Sequence, residues 1–118
     1  MPNGIIFMKW NERSATEILF KYPSNKDFKL SKKTLLHILN LHGFNKKPGI
    51  ASLTTRDINF LTYYSGIIKG YYLILLLNIL ESPDDYEEIF KKIAPTIIDN
   101  LENQNYENAI PSLYNKLT

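Results

Sequence analysis

Cysteine is absent from this chain, which excludes a disulfide framework, a thiolate metal site and a thiol nucleophile. That absence fits a reducing compartment. A long apolar run is missing as well. Tyr71 to Leu77, with Ile79 and Leu80 beyond, is about half of what a membrane-spanning helix needs. The start, Met1-Pro2-Asn3-Gly4, lacks the basic-then-apolar layout of a signal peptide, so the expectation is a cytoplasmic protein. Low-complexity and disorder-prone stretches are also lacking.

What is present suits a single folded domain over residues 1–118, with 44% hydrophobic residues and enough chain to bury one core. Net charge is only +2, yet it is divided. Residues 1–59 hold ten Lys/Arg against four Asp/Glu, and residues 60–118 hold four against eight. Such a split can orient a protein on a charged partner, or it can reflect solvated faces alone.

The hydrophobic period changes along the chain in an informative order. Ile5-Ile6-Phe7-Met8 with Trp10 reads as a first strand, apolar on both faces. Thr16 to Tyr22 reads as a second, with Ile18, Phe20 and Tyr22 on one face and Glu17 and Lys21 on the other. The link between them is too short for a parallel crossover, so they form an antiparallel hairpin. Ser31 suits a helix N-cap, Leu30 can staple onto Leu35, and Gly43 can end the helix. Leu35, Ile38, Leu39 and His42 make its stripe, with Leu36 and Leu41 flanking and Lys33, His37 and Asn40 facing away.

Gly49 to Thr54, Ile58 to Tyr64 and Tyr71 to Asn78 read as three further strands, with Gly66 and Gly70 bracketing the last reversal. The final strand is apolar at consecutive positions and needs cover on both faces. Ser82-Pro83-Asp84-Asp85 is a helix start with its acids at the positive dipole end. Ile89, Ile93, Ile97 and Leu101 then recur every four residues, beside Phe90, Ala94 and Ile98. Pro95 within this run costs about 3 kcal/mol, against burial worth on the order of 10 kcal/mol, so a kinked or adjusted helix is expected. A last helix should present Tyr106, Ile110, Leu113, Tyr114 and Leu117.

The order β-β-α-β-β-β-α-α, with its two-sided strands at the centre, predicts an α/β (α+β) fold. Its five-stranded antiparallel sheet has the order 2-1-5-4-3 within a three-layer α/β/α sandwich. The third strand is then an edge, short and small in side chain, with an open row of backbone groups. Pairing two such edges about a two-fold axis, first helices side by side, would use Leu36, Asn40, Leu41, Gly49, Ile50, Ala51, Ser52 and Leu53. A monomer with a simply short edge is the plainer alternative.

Catalytic signals are weak. His37 and His42 diverge around their helix, unlike an i, i+4 metal pair. Asp84, Asp85, Glu87 and Glu88 read as a first-turn dipole cluster, and Gly66 and Gly70 as turn glycines without a Gly-Lys-Ser/Thr sequel. No residue places a nucleophile beside a base; no cofactor or metal is expected. Lys26, Lys29, Lys32 and Lys33, with Lys46 and Lys47, form a basic collar. The nearby Tyr63, Tyr64, Tyr71 and Tyr72 belong to covered strands, so the collar suits an acidic protein or, at most, peripheral contact with anionic headgroups better than nucleic acid.

Several segments resemble free-standing archaeal longin-like proteins. They are Phe7 to Arg13 running on to Phe20-Lys21-Tyr22-Pro23, Pro48 to Leu53, Tyr63 to Gly66, Tyr71-Tyr72, Ser82 to Glu87, and Ala109 to Tyr114. Element order is likewise similar to the longin domain, within the longin/roadblock and profilin-like group. The resemblance implies a non-enzymatic adaptor of vesicle-trafficking or GTPase-regulating complexes that binds small GTPases or pairs with a related domain as a homodimer or heterodimer. The sequence shows neither a heptad coiled coil nor a membrane anchor after the last helix, so a stand-alone adaptor or scaffold is expected. A profilin-like binder of a cytoskeletal protein is the alternative, and an enzyme with a deep polar pocket is a third.

Overall fold

A computed structural model of the chain describes residues 3–11, 15–22, 32–41, 48–54, 58–66, 70–101, 110, 111 and 115. Their elements run β1 (Gly4–Asn11), β2 (Ala15–Tyr22), α1 (Lys32–Leu41), β3 (Gly49–Thr54), β4 (Asn59–Tyr64), β5 (Tyr71–Leu76) and α2 (Asp84–Leu101). The strands form one sheet in the order β2-β1-β5-β4-β3, every neighbouring pair antiparallel. The two strands apolar on both faces, β1 and β5, therefore lie inside the sheet, and β5 is its central strand.

Alternation along these strands sorts the core into two sets. Phe7, Leu73 and Tyr63 are cross-strand partners and belong to a cluster with Phe90, Ala94, Ile97, Ile98 and Ile110. Ile6 and Ile74, also partners, belong to a second cluster with Met8, Phe60, Tyr64, Tyr72 and Ile38. Successive side chains of a strand point to opposite faces, so α2 supplies the cover of one face and Ile38 of α1 part of the cover of the other. Residues 73–75 have no exposed surface at all.

The second strand departs from simple alternation. Phe7 pairs with Phe20 but Met8 pairs with Ile18, so Leu19 is an extra residue, a β-bulge. A bulge reverses the facing of everything before it. Phe20 and Tyr22 pack against the α2-side cluster, as does Leu19. Ile18 stands opposite Met8 on the other face and is 42% exposed. The expectation that Ile18 shares a face with Phe20 and Tyr22 is thus corrected, and Glu17 and Lys21 likewise fall on opposite faces.

Other boundaries shift little. The fourth strand starts at Asn59 instead of Ile58, and the fifth ends at Leu76 instead of Asn78; the Leu77 amide still donates to the Asn59 carbonyl at 2.8 Å, and the chain then turns between Asn78 and Glu81. Gly66 and Gly70 have φ of 95° and 69°, the left-handed conformation that glycine adopts without steric cost. In α2 the helix runs unbroken through Pro95. Its buried stripe is Phe90, Ala94, Ile97 and Ile98, whereas Ile89 is 41% exposed, so the inward face is rotated from the every-fourth-residue series. Ile110, Pro111 and Asn115 are helical, and Ile110 is fully buried. Ser31, His42, Gly43, Tyr106, Leu113, Tyr114 and Leu117 lie outside the described residues.

Candidate interaction surface

Among the described residues, the third strand sits at the sheet border, hydrogen-bonded on one side only, to β4. Its register, from Gly49 opposite Tyr64 to Thr54 opposite Asn59, runs without a shift. Ile50 packs against the α2-side cluster and Leu53 against the α1-side one, which fixes the strand from both faces. Ser52 and Thr54 are exposed, and Gly49 and Ala51 half-buried. A Cβ built at Gly49 would meet nothing within 4 Å, so the beginning of the edge is open. The opposite border, β2, carries the bulge, a feature that twists an edge out of register for pairing. Of the two borders, β3 is the regular one.

The helical half of the expected surface lies on α1. Thr34 and Ile38 are buried, and residues two positions from them on a helix point nearly the opposite way. Leu36, 58% exposed, and Asn40, also exposed, therefore lie on the outward face of α1 with Lys33 and His37. The side chain of Leu41 lies outside the described residues, as does that of Lys32. Lys33 is exposed, while Lys26, Lys29, Lys46 and Lys47 lie outside the described residues.

Tyr63, Tyr64 and Tyr72 are core residues, and Tyr22 and Tyr71 pack partly buried against the core. Tyr64 and Tyr72 stack with ring centroids 4.6 Å apart and planes 20° from parallel. Burial, and then the charge of Tyr64, pushes the Tyr72 phenol up to about 12; burial raises Tyr64 as well. Tyr71 lies 5.1 Å from Phe7 between centroids, with the Lys9 ammonium 5.4 Å above its ring. These rings are engaged with the protein itself. Among the described residues, no group of three or more His, Cys, Asp or Glu is placed to hold a metal ion.

Polar structure concentrates instead at the end of the sheet. Asn59, 4% exposed, donates from its side-chain amide to the Asn78 carbonyl at 2.9 Å and the Glu81 carbonyl at 2.6 Å. The Thr54 hydroxyl donates to its Oδ1 at 2.8 Å. Beyond the turn, the Tyr86 hydroxyl donates to the Glu81 carboxylate. That bond, followed by burial and the neighbouring charges, pushes Tyr86 up to about 12. Partial burial raises the Glu81 carboxyl, but the hydrogen bonds from Tyr86 and the Asn78 amide oppose it, and the carboxyl ends below its ordinary range. Sequence patterning missed this network; an asparagine at the head of an otherwise apolar and aromatic strand was the available signal.

No helix among the described residues is long and apolar enough to cross a membrane. A scan against protein-family models finds no matching family, and a search of curated proteins finds no match.

Proposed function

We propose that this chain is a non-catalytic longin-type adaptor. In this reading it is a three-layer α/β/α sandwich whose β3 edge pairs with a second copy or a related domain, and which engages small GTPases or a membrane-trafficking-type complex. Sheet order 2-1-5-4-3 and the division of helical residues between two core clusters support the architecture. The observation that carries the function is the unshifted β3 border, anchored from both faces by Ile50 and Leu53, beside a bulged β2 border.

The geometry of such a pairing is constrained. A two-fold axis perpendicular to the sheet keeps each protomer's faces on the same sides, and residues directly opposite in an antiparallel ladder share a face. Only registers in which opposed residues share parity are then allowed. The centred ones place Ala51 opposite its own counterpart, or Ser52 opposite its own. The seam of six residues is short, so association should depend on protein concentration. Leu36, Asn40 and Lys33, on the outward face of α1, remain available to an acidic partner.

Sedimentation velocity over a dilution series, with and without small GTPases loaded with GDP or GTP, tests both halves. A concentration-dependent dimer that also co-sediments with a GTPase supports the proposal. A strict monomer that ignores every GTPase contradicts it.

A further inference from the structure

The turn between β5 and α2 presents two large apolar residues to solvent while hydrogen bonds hold its backbone. The Glu81 amide donates to the Asn78 carbonyl at 3.0 Å, closing a four-residue turn. The Leu80 amide donates to Asn78 Oδ1 at 3.1 Å, and the Asn78 amide to Glu81 Oε1 at 2.8 Å. From beneath, the buried Asn59 side chain holds the carbonyls of both turn ends. The two central residues are Ile79, 57% exposed, and Leu80, 91% exposed.

Turn formation does not explain them. Central turn positions favour glycine, asparagine, aspartate or proline for backbone reasons, and isoleucine and leucine offer none of these. Single exposed apolar residues are ordinary. An adjacent pair at the tip of a turn fixed by this many hydrogen bonds is a preformed knob, and a rigid element loses little freedom on binding. Four exposed acids, Asp84, Asp85, Glu87 and Glu88, follow in the first two turns of α2. Such acids complement a basic surface. They also oppose approach to anionic lipid, whose negative surface attracts cationic segments.

We propose that the Ile79–Leu80 knob, with its acidic skirt, is a docking site for a basic amphipathic segment of another protein, whose apolar face receives the two side chains. The site uses none of residues 49–53, so it stands apart from the edge pairing proposed above. The probe is a short fluorescent amphipathic peptide with leucine on one face and lysine on the other. A leucine/glutamate peptide of the same pattern, and vesicles of neutral or anionic lipid, serve as comparisons, with anisotropy and flotation as readouts. The intact chain should bind the leucine/lysine peptide and not the acidic one. The double variant I79S/L80S should bind it about tenfold or more weakly, about 1.4 kcal/mol, with an unchanged circular dichroism spectrum. D84N/D85N should weaken binding and flatten its salt dependence, while S52K should bind like the parent. Equal binding by I79S/L80S and the parent, equal binding of the two peptides, or adsorption to vesicles in preference to the peptide would each overturn the proposal.

Discussion

Replacing Asn59 by alanine should expose how far the end of the sheet depends on one side chain. The amide is 4% exposed and makes two donor bonds, at 2.9 and 2.6 Å, to the carbonyls of Asn78 and Glu81. Each such bond contributes a net ~0.5–1.5 kcal/mol, so Asn59→Ala should cost about 2 kcal/mol. For a chain of this length that lowers the melting temperature by about 8 °C. Urea unfolding followed by circular dichroism reads the change directly. Asn59→Asp provides the sharper comparison, because an ionised carboxylate has no donor and would face two carbonyl oxygens. Its carboxyl should titrate above the ordinary range in the fold, so the deficit relative to Asn59→Ala should be largest at neutral pH and shrink as the pH falls. A cost below ~0.5 kcal/mol for Asn59→Ala would refute the assignment of Asn59 as the anchor of the turn, as would a deficit in Asn59→Asp that does not respond to pH.

Pro95 lies in the interior of α2, where it lacks an amide donor and crowds the preceding turn. Pro95→Ala should therefore stabilise the chain by about 1–3 kcal/mol in urea unfolding; destabilisation would mean that the ring's packing outweighs its backbone cost. Tyr72 and Tyr86 titrate near 12. With their folded values raised above the ordinary 10, their contribution is complete below pH ~10 and is lost as pH rises toward ~12. Ultraviolet titration should show two late-ionising tyrosines at least. Because the leading cause at Tyr86 is its bond to Glu81, Glu81→Gln should bring one of them back toward 10; an unaltered curve would rule that cause out.

Much of this fold was legible because the strong signals were double ones. Consecutive apolar residues in Ile5–Met8 and Tyr72–Leu75 demanded two covered faces, which left only the inner positions of the sheet for β1 and β5. The hairpin and the meander then left β2 and β3 for the borders. The Leu19 bulge was not legible, since an alternating pattern read through an inserted residue still alternates; only the pairing of Met8 with Ile18 reveals it. On α1 the buried Ile38 and the exposed Lys33, His37 and Asn40 fall where the apolar stripe put them, whereas burial of Thr34 leaves no trace in an apolar count. Of the candidate surface, residues 49–53 were found from strand order alone. The Ile79–Leu80 knob was not, because two aliphatic residues just beyond an apolar strand carry no sign of whether they are covered. The turn bond from the Glu81 amide to the Asn78 carbonyl, with the bonds from Asn59, fixes the pair in place.

The edge-pairing claim turns on Ser52, which is exposed and so tolerates a longer side chain without disturbing the protomer. In either centred register the two copies of residue 52 are direct or diagonal neighbours across the seam, where like charges repel. Sedimentation equilibrium of the parent and of Ser52→Lys at matched concentrations decides the matter. The parent should approach twice its 13.7 kDa mass as concentration rises, while Ser52→Lys, with the same circular dichroism and melting temperature, should remain at the protomer mass. A parent that never exceeds the protomer mass, or a Ser52→Lys variant that dimerises as readily as the parent, would contradict pairing through β3.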